Sequence, residues 1–284
     1  MQLFRPFFKR LALVSAFVGL LTLLTSRPSV AAPVNSALES GFRQMYNLDF
    51  AAAHCTFENW KRDHPADPLG AVANAAAYLF SEFDRLEILD LEYLAQTKSA
   101  ARLKDLKPDV AIKSAFEAEL ANAERLSRNI LAANGEDTDG LFAKLLADGL
   151  RGDYLALVEN RKREALSFLK SSRTTAEKLL SIDPTYHDAY LAIGIENYVL
   201  GLQGAPTRWF LRLSGSETNR QKGIDALHIT AQDGRYLSPF ARVLLSIAAF
   251  RDQDVQSART LLDELASEFP QNRLYRQQLA RLRN

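Results

Sequence analysis

The residue types that carry most enzyme chemistry are sparse in this chain. Four histidines, His54, His64, His187 and His228, are its only imidazoles; they form no HExxH, and no His/Cys pair stands at zinc-binding spacing. His54 and Cys55 are adjacent, which points them in different directions on a helix. Cys55 is the sole cysteine, so it closes no intramolecular disulfide, and its setting in "FAAAHCTFENW" predicts a small buried hydrophobe rather than a reactive thiol. The stretch "SEFDRLEILDLEYL" supplies Glu82, Asp84, Glu87, Asp90 and Glu92, the residue type that paired-carboxylate hydrolysis uses. Phe83, Leu86 and Leu89 or Leu91 form the apolar stripe of that stretch, so most of its acids are expected on a solvated face. The basic run "NRKREALSFLK" is broken by Glu164 and reads as the exposed face of a long helix. No GxGxxG, P-loop, GxSxG or Ser/Lys pair in context occurs, so neither a catalytic centre nor a metal or cofactor is expected.

One segment stands out. "GLQGAPTRWFLRLSGSETNRQKGIDAL", residues 201–227, sets Trp209 and Phe210 between Arg208 and Arg212 in a glycine-bearing insert. Arginine and tryptophan are enriched at interface hot spots, so these four side chains could anchor a partner; equally, the two aromatics could fill a hollow left by a missing half-repeat.

The elements that would position these residues are helical almost throughout. Beyond residue 33, Ala, Leu, Glu, Arg and Lys dominate and β-branched alternation is missing. Helices are expected near 36–47, 50–62, 68–94, 109–133, 138–151, 154–181, 187–201, 217–232, 238–252, 254–268 and 272–283. Such a chain is searched for internal repeats first. If Pro184 closes one unit and His187 opens the next, Tyr190, Ile193 and Gly194 fall at positions four, seven and eight, while Ala176 and Leu179 precede Pro184 by eight and five residues. Counted back from Pro65, Gly41 falls at eight, Phe50 at seventeen, Ala53 at twenty and Phe57 at twenty-four; the unit opening at Pro68 then has Ala75 at eight and Tyr78 at eleven. Counted back from Pro270, Ser246 falls at eight, Ala249 at eleven, Val255 at seventeen, Ala258 at twenty, Leu262 at twenty-four and Leu265 at twenty-seven.

On these residues the chain resembles the tetratricopeptide repeat family, clearly over 34–94, 172–201 and 239–283. The middle, 109–171, looks like a degenerate unit with Gly152-Asp153-Tyr154 as its inter-helix turn, and 95–108 and 202–216 are irregular inserts. The resemblance implies an all-α fold, a right-handed α-solenoid of TPR-like helical hairpins with irregular inserts, over residues 34–284. Small residues at positions eight and twenty, among them Gly41, Ala53, Ala75, Gly194 and Ala258, would let helices approach at roughly 8–10 Å. At the other end, Tyr275, Leu279 and Leu282 share one face of a terminal capping helix, with Arg273, Arg276, Arg281 and Arg283 pointing mostly elsewhere. The resemblance also implies a concave groove. In this sequence its positions are Leu38, Phe42, Met45 and Tyr46 in the first unit and Asp188, Leu191, Ile195 and Tyr198 in a later one, an apolar and aromatic lining.

The opening "MQLFRPFFKRLALVSAFVGLLTLLTSRPSVAAP" joins a basic start, an apolar run from Leu11 to Leu24, and Ser29-Val30-Ala31 as a cleavage signal. Only 16 residues separate Arg10 from Arg27, short of the roughly 20 that a membrane span needs, so residues 1–31 are read as a cleaved signal peptide and no stable membrane span remains. The whole chain carries 35 basic against 34 acidic residues; removing residues 1–31 leaves a net charge of −3, which offers no field for nucleic acid. The expectation is an exported protein, periplasmic or secreted, acting as a scaffold that holds another protein or peptide segment in its apolar groove. The rival expectation is a small-molecule binder or enzyme with a pocket at the 202–216 insert, and a third is an envelope structural protein whose repeats only bridge neighbours.

Overall fold

The computed structural model describes residues 36–88, 106–201 and 219–282, and within them every regular element is helical. The eleven α-helices are α1 (Ser36–Tyr46), α2 (Phe50–Asp63), α3 (Pro68–Arg85), α4 (Val110–Ala133), α5 (Thr138–Asp153), α6 (Lys162–Ile182), α7 (Tyr190–Gly201), α8 (Arg220–Asp233), α9 (Ser238–Arg251), α10 (Val255–Glu268) and α11 (Arg273–Arg281). Most of their starts are fixed by one chemistry. Asp49, Asp67, Asp109, Asp137, Asn219, Asp254 and Asn272 each accept a backbone N–H from the first turn of the helix that follows, a cap worth about 1 kcal/mol against alanine.

Several of the turns share one geometry. After α2, α4, α6 and α10, the residues His64, Asn134, Asp183 and Phe269 each donate their N–H to the carbonyl four residues back, and each accepts from the residue three positions on. Inside the first and last hairpins the turns also match: Leu48 and Gln253 take φ of 64° and 63°, and Asp49 and Asp254 donate to Gln44 and Ala249. The helices therefore pair as α1–α2, α3–α4, α5–α6, α7–α8 and α9–α10, followed by α11. Every helix packs on the next in sequence, and α3 also touches α1 and α5. Residues 95–108 and 202–216 fall between the first and second helix of a hairpin, not between hairpins.

The small positions of the repeat frame are contact positions. A methyl on Gly194 would lie 2.8 Å from the Leu227 side chain and 3.1 Å from the Gly223 carbonyl; one on Gly223 would lie 2.6 Å from the Tyr198 nitrogen. The backbones of α7 and α8 thus meet where only hydrogen fits. In the first hairpin Gly41 leaves room for the fully buried Phe57 ring. The last helix has the two faces expected of it: Tyr275 and Leu279 are buried and Leu282, just past α11, is half-buried, while Arg273, Arg276 and Arg281 are exposed; Arg283 lies outside the described residues.

Four local expectations are corrected. Gly152-Asp153-Tyr154 is helix, not turn: α5 runs into a π-helical turn, Tyr154–Val158, and the chain reverses at Glu159–Arg161, where Asn160 takes φ of 53°. α6 passes beside Gly152, with the Ala165 carbonyl and Phe168 Cβ 3.5 Å from where a methyl would be, an ordinary contact that does not itself demand glycine. Second, α3 stops at Arg85 rather than near 94, because Glu87 turns at φ 56° and buries Ile88 against the core; residues 89–94 lie outside the described residues. Third, Glu82 is not on a solvated face: 1% exposed, it accepts from Arg85 at 2.7 and 2.8 Å and from the Asp109 N–H at 2.8 Å, tying α3 to the start of α4. Fourth, Cys55 is exposed, since Ala53, Phe57 and Trp60 are the buried face of α2 and Cys55 falls off it.

The first hairpin also meets the last helices, which consecutive packing alone does not require. Phe42 lies 5.1 Å from Tyr236, Tyr46 lies 5.7 Å from Phe269, and Phe80 of α3 lies 5.5 Å from Phe240 of α9. Around these rings the Tyr46 hydroxyl donates to the Tyr236 carbonyl, Asn272 Nδ2 donates to the Tyr46 carbonyl at 2.8 Å, and Arg43 pairs with Glu268 at 2.7 Å.

Candidate functional site

The expected groove residues point inward. Leu38, Phe42, Met45 and Tyr46 are 1–5% exposed, and what covers them is the chain's own Tyr236, Phe80 and Phe269. Asp188, Leu191 and Tyr198 are buried as well, and Ile195 is half-buried. In place of an open groove at α1, the centre holds a cavity of about 40 Å³ between Tyr46, Phe80, Phe240 and Tyr275, room for about one water and far below a small-molecule pocket. Arg208, Trp209, Phe210 and Arg212 lie outside the described residues.

Asp188 has a definite task. Its carboxylate accepts the N–H groups of Arg235 at 3.0 Å, Tyr236 at 3.1 Å and Leu237 at 2.9 Å, pinning the 234–237 loop to the start of α7. Burial pushes its carboxyl up from the usual range, and the three backbone donors oppose that shift. The loop it holds presents Tyr236, a residue that sequence reasoning passed over.

Tyr236 is where the first helices of several hairpins converge. Its ring packs on Phe42 of α1 and, at 6.0 Å, on Phe142 of α5; Phe142 is in turn 4.9 Å from Tyr186. Glu39 of α1 pairs with Arg235, whose guanidinium stands 5.2 Å over the Tyr236 ring. Asp139, in the first turn of α5, joins from the other side: burial, then the charges of Asp67 and Asp137, push its carboxyl up, while Arg235 opposes them. Burial raises both phenols, and Asp139, Asp188 and Arg235 act on each of them. The result is a polar mouth at the helix starts, made of two phenol rings, acids and one arginine. Two of its groups lack hydrogen-bond partners among the described residues: the Asp139 carboxylate, which keeps an exposed edge, and the buried Tyr236 hydroxyl. Asp139 and Arg235 are its exposed members, and Tyr236, 3% exposed, closes it from within.

Two other polar groupings are structural ties by geometry. On the α2–α3–α4 seam, Asn74 accepts at Oδ1 from His54 Nδ1 at 2.6 Å and donates to Glu58 and Glu119, while Lys61 binds the same two glutamates; Asn74 is fully buried, and every link but Lys61–Glu58, within α2, joins helix to helix. On α6 and α7, Arg173 reaches the buried Glu196 at 3.0 Å. Asp153, beside the π turn, is a lone carboxyl that burial pushes up to about 7. Among the described residues no group of three His, Cys, Asp or Glu side chains could hold a metal ion, and no helix is long and apolar enough to cross a membrane.

Set against family models, curated proteins and solved structures, the chain matches none.

Proposed function

We propose that this chain is an exported helical-repeat protein of the tetratricopeptide kind, a right-handed solenoid of hairpins that holds a segment of another polypeptide. The observation that carries the reading is the convergence of α1, α5 and the 234–237 loop on the Tyr236 ring, with the exposed Asp139 of the first turn of α5 beside a set of hairpins that pack on one another in sequence. Stacked hairpins hold such a mouth rigid, because each first helix is fixed by its neighbours on both sides. The groove expected along Phe42 and Tyr46 is filled by the chain itself, so the seat of the partner moves to the mouth. The role is binding without catalysis or a cofactor, with a mildly acidic mature surface and no nucleic-acid partner.

The test is site-specific crosslinking in producing cells. A photoreactive residue replacing exposed Glu136, beside the mouth, should capture a polypeptide, whereas one replacing exposed Gln256 on α10 should not. Equal capture at both positions, or none at Glu136, would refute the reading.

A further inference from the structure

We infer that the seam where α1 and α3 meet α9 and α11 is a joint that opens and recloses within the folded chain, and that a ligand in the mouth holds it shut; the second half rests on the polypeptide-binding reading above.

The seam is bridged chiefly by side chains. Helices adjacent in sequence pack broadly on one another, but α1 and α3 make no such contact with α9, α10 or α11. Long rings span the gap instead, Tyr46 to Phe269 at 5.7 Å and Phe80 to Phe240 at 5.5 Å. Among them lies the cavity of about 40 Å³. Gln278 of α11, which lines it, is 5% exposed, and its side-chain amide has no hydrogen-bond partner among the described residues. Close-packed interiors rarely leave a void or an unpaired amide, and this seam carries both.

The charged ties across the seam sit in solvent. Arg43 pairs with Glu268 at 2.7 Å and Arg273 with Asp84 at 2.8 Å, and both arginines are more than half exposed, so water can take the place of either carboxylate. Single hydrogen bonds complete the joint: Asn272 Nδ2 donates to the Tyr46 carbonyl at 2.8 Å, and the Gln271 N–H to Asn47 Oδ1 at 3.2 Å. Within a hairpin the contact is tighter, as where the backbones of α7 and α8 meet at Gly194 and Gly223. Opening therefore concentrates at the seam, and the stacked hairpins supply the small rotations it needs.

Tyr236 joins the seam to the mouth. Its carbonyl accepts the Tyr46 hydroxyl at 3.1 Å and its ring packs on Phe42, both of α1, while Phe142 of α5 packs on the same ring. Glu39 of α1 and Arg235 pair across the same line. When the seam opens, α1 leaves this set and the mouth loses one wall. A polypeptide touching α1 and the 234–237 loop together binds the shut form better, and it shifts the joint toward that form by the difference.

The experiment uses the mature protein with Cys55→Ser and one new cysteine. Ser246→Cys reports the seam, on α9 in the cavity lining and 0% exposed; Ser127→Cys, 2% exposed on α4, reports a core that packs on α3 and α5. Alkylation by iodoacetamide is followed by intact mass and divided by the rate of the same thiol in urea. On that scale Ser246→Cys should react at least about tenfold faster than Ser127→Cys. Arg273→Glu, which sets a second acid against Asp84, should raise the Ser246→Cys rate about fivefold and leave Ser127→Cys unchanged; adding Asp84→Arg should reverse most of the rise. Equal rates at the two cysteines, or a rise at both, are global unfolding and would overturn the joint, as would a rise that Asp84→Arg does not reverse. Capture at Glu136 should fall in Arg273→Glu and recover in the double variant; capture that ignores the seam overturns the link to the mouth. No capture by the unaltered chain refutes polypeptide binding, while the alkylation rates still decide the joint.

Discussion

Replacing Asp188 with alanine tests whether this residue faces a partner or holds the fold. Its carboxylate accepts three backbone N–H groups, from Arg235 at 3.0 Å, Tyr236 at 3.1 Å and Leu237 at 2.9 Å. Asp188, Tyr236 and Leu237 are 2%, 3% and 6% exposed, so water cannot readily replace the acceptor at the last two donors; Arg235 is exposed and can find water. Two stranded donors at about 1–3 kcal/mol each, reduced by no longer burying a carboxylate, give a net loss of about 3 kcal/mol. For a domain whose urea m-value is about 2 kcal/mol/M, the midpoint should fall by about 1.5 M. Asp188→Asn keeps one acceptor oxygen but turns an N–H toward donors, so it should lose a comparable amount rather than recover. The assay is urea unfolding followed by circular dichroism at pH 7, with the slope checked for constancy. A loss below about 1 kcal/mol, or full stability together with lost partner capture, would refute the argument and return Asp188 to the binding face.

Other consequences follow from the same packing. Gly223→Ala sets a methyl against the Tyr198 backbone nitrogen and should cost about 1–3 kcal/mol, and Gly194→Leu, which forces Leu227 aside, at least as much; unchanged thermal midpoints would dismiss the close approach of α7 and α8. Asp153 is held protonated up to about pH 7 in the fold, against about 4 in the unfolded chain, so its contribution is most favourable below pH 4 and is lost as pH rises through 7. Asp153→Asn should therefore raise the thermal midpoint more at pH 8 than at pH 4.5; an equal gain at both would show that the burial is not felt. Intact mass of the protein recovered from the producing cell should correspond to a chain beginning at Ala32, and a chain retaining Met1 would overturn export with cleavage.

What the sequence made legible is what depends on near neighbours. The glycines at 41 and 194 and the frame counted from Pro65, Pro184 and Pro270 are local or periodic signals, and the helices other than α6 begin within a few residues of where they were expected. Phe42 and Tyr46 were expected to line a groove open to a partner, and the chain's own residues that cover them were not readable. Tyr236 and Phe269 lie roughly two hundred positions away, and nothing in a local pattern encodes a contact of that separation. Glu82 escaped for a related reason: its helix face looked polar, and only the Asp109 N–H beyond the insert explains its burial. Gly152 shows the opposite error, a glycine within a helix taken for a turn glycine, because glycine alone does not say which it is. Tyr236 left one faint trace. An aromatic in a short loop directly before a helix is a poor choice for solvent, and the acid at the start of the preceding hairpin, Asp188, was already in view.

The meeting of the first and last hairpins changes how this molecule should come apart. An open array of repeats behaves as a one-dimensional chain of neighbours, and its terminal units fray first because each has a partner on one side only. Here α1 is bound to α2 and α3 and also, through Tyr46, Phe269 and Asn272, to the segment that opens α11. The two outermost hairpins guard one another's amides, so local opening at either is coupled to the other. The mouth at Tyr236, which needs α1, α5 and the 234–237 loop together, is assembled by that same coupling and exists only while the whole set is folded.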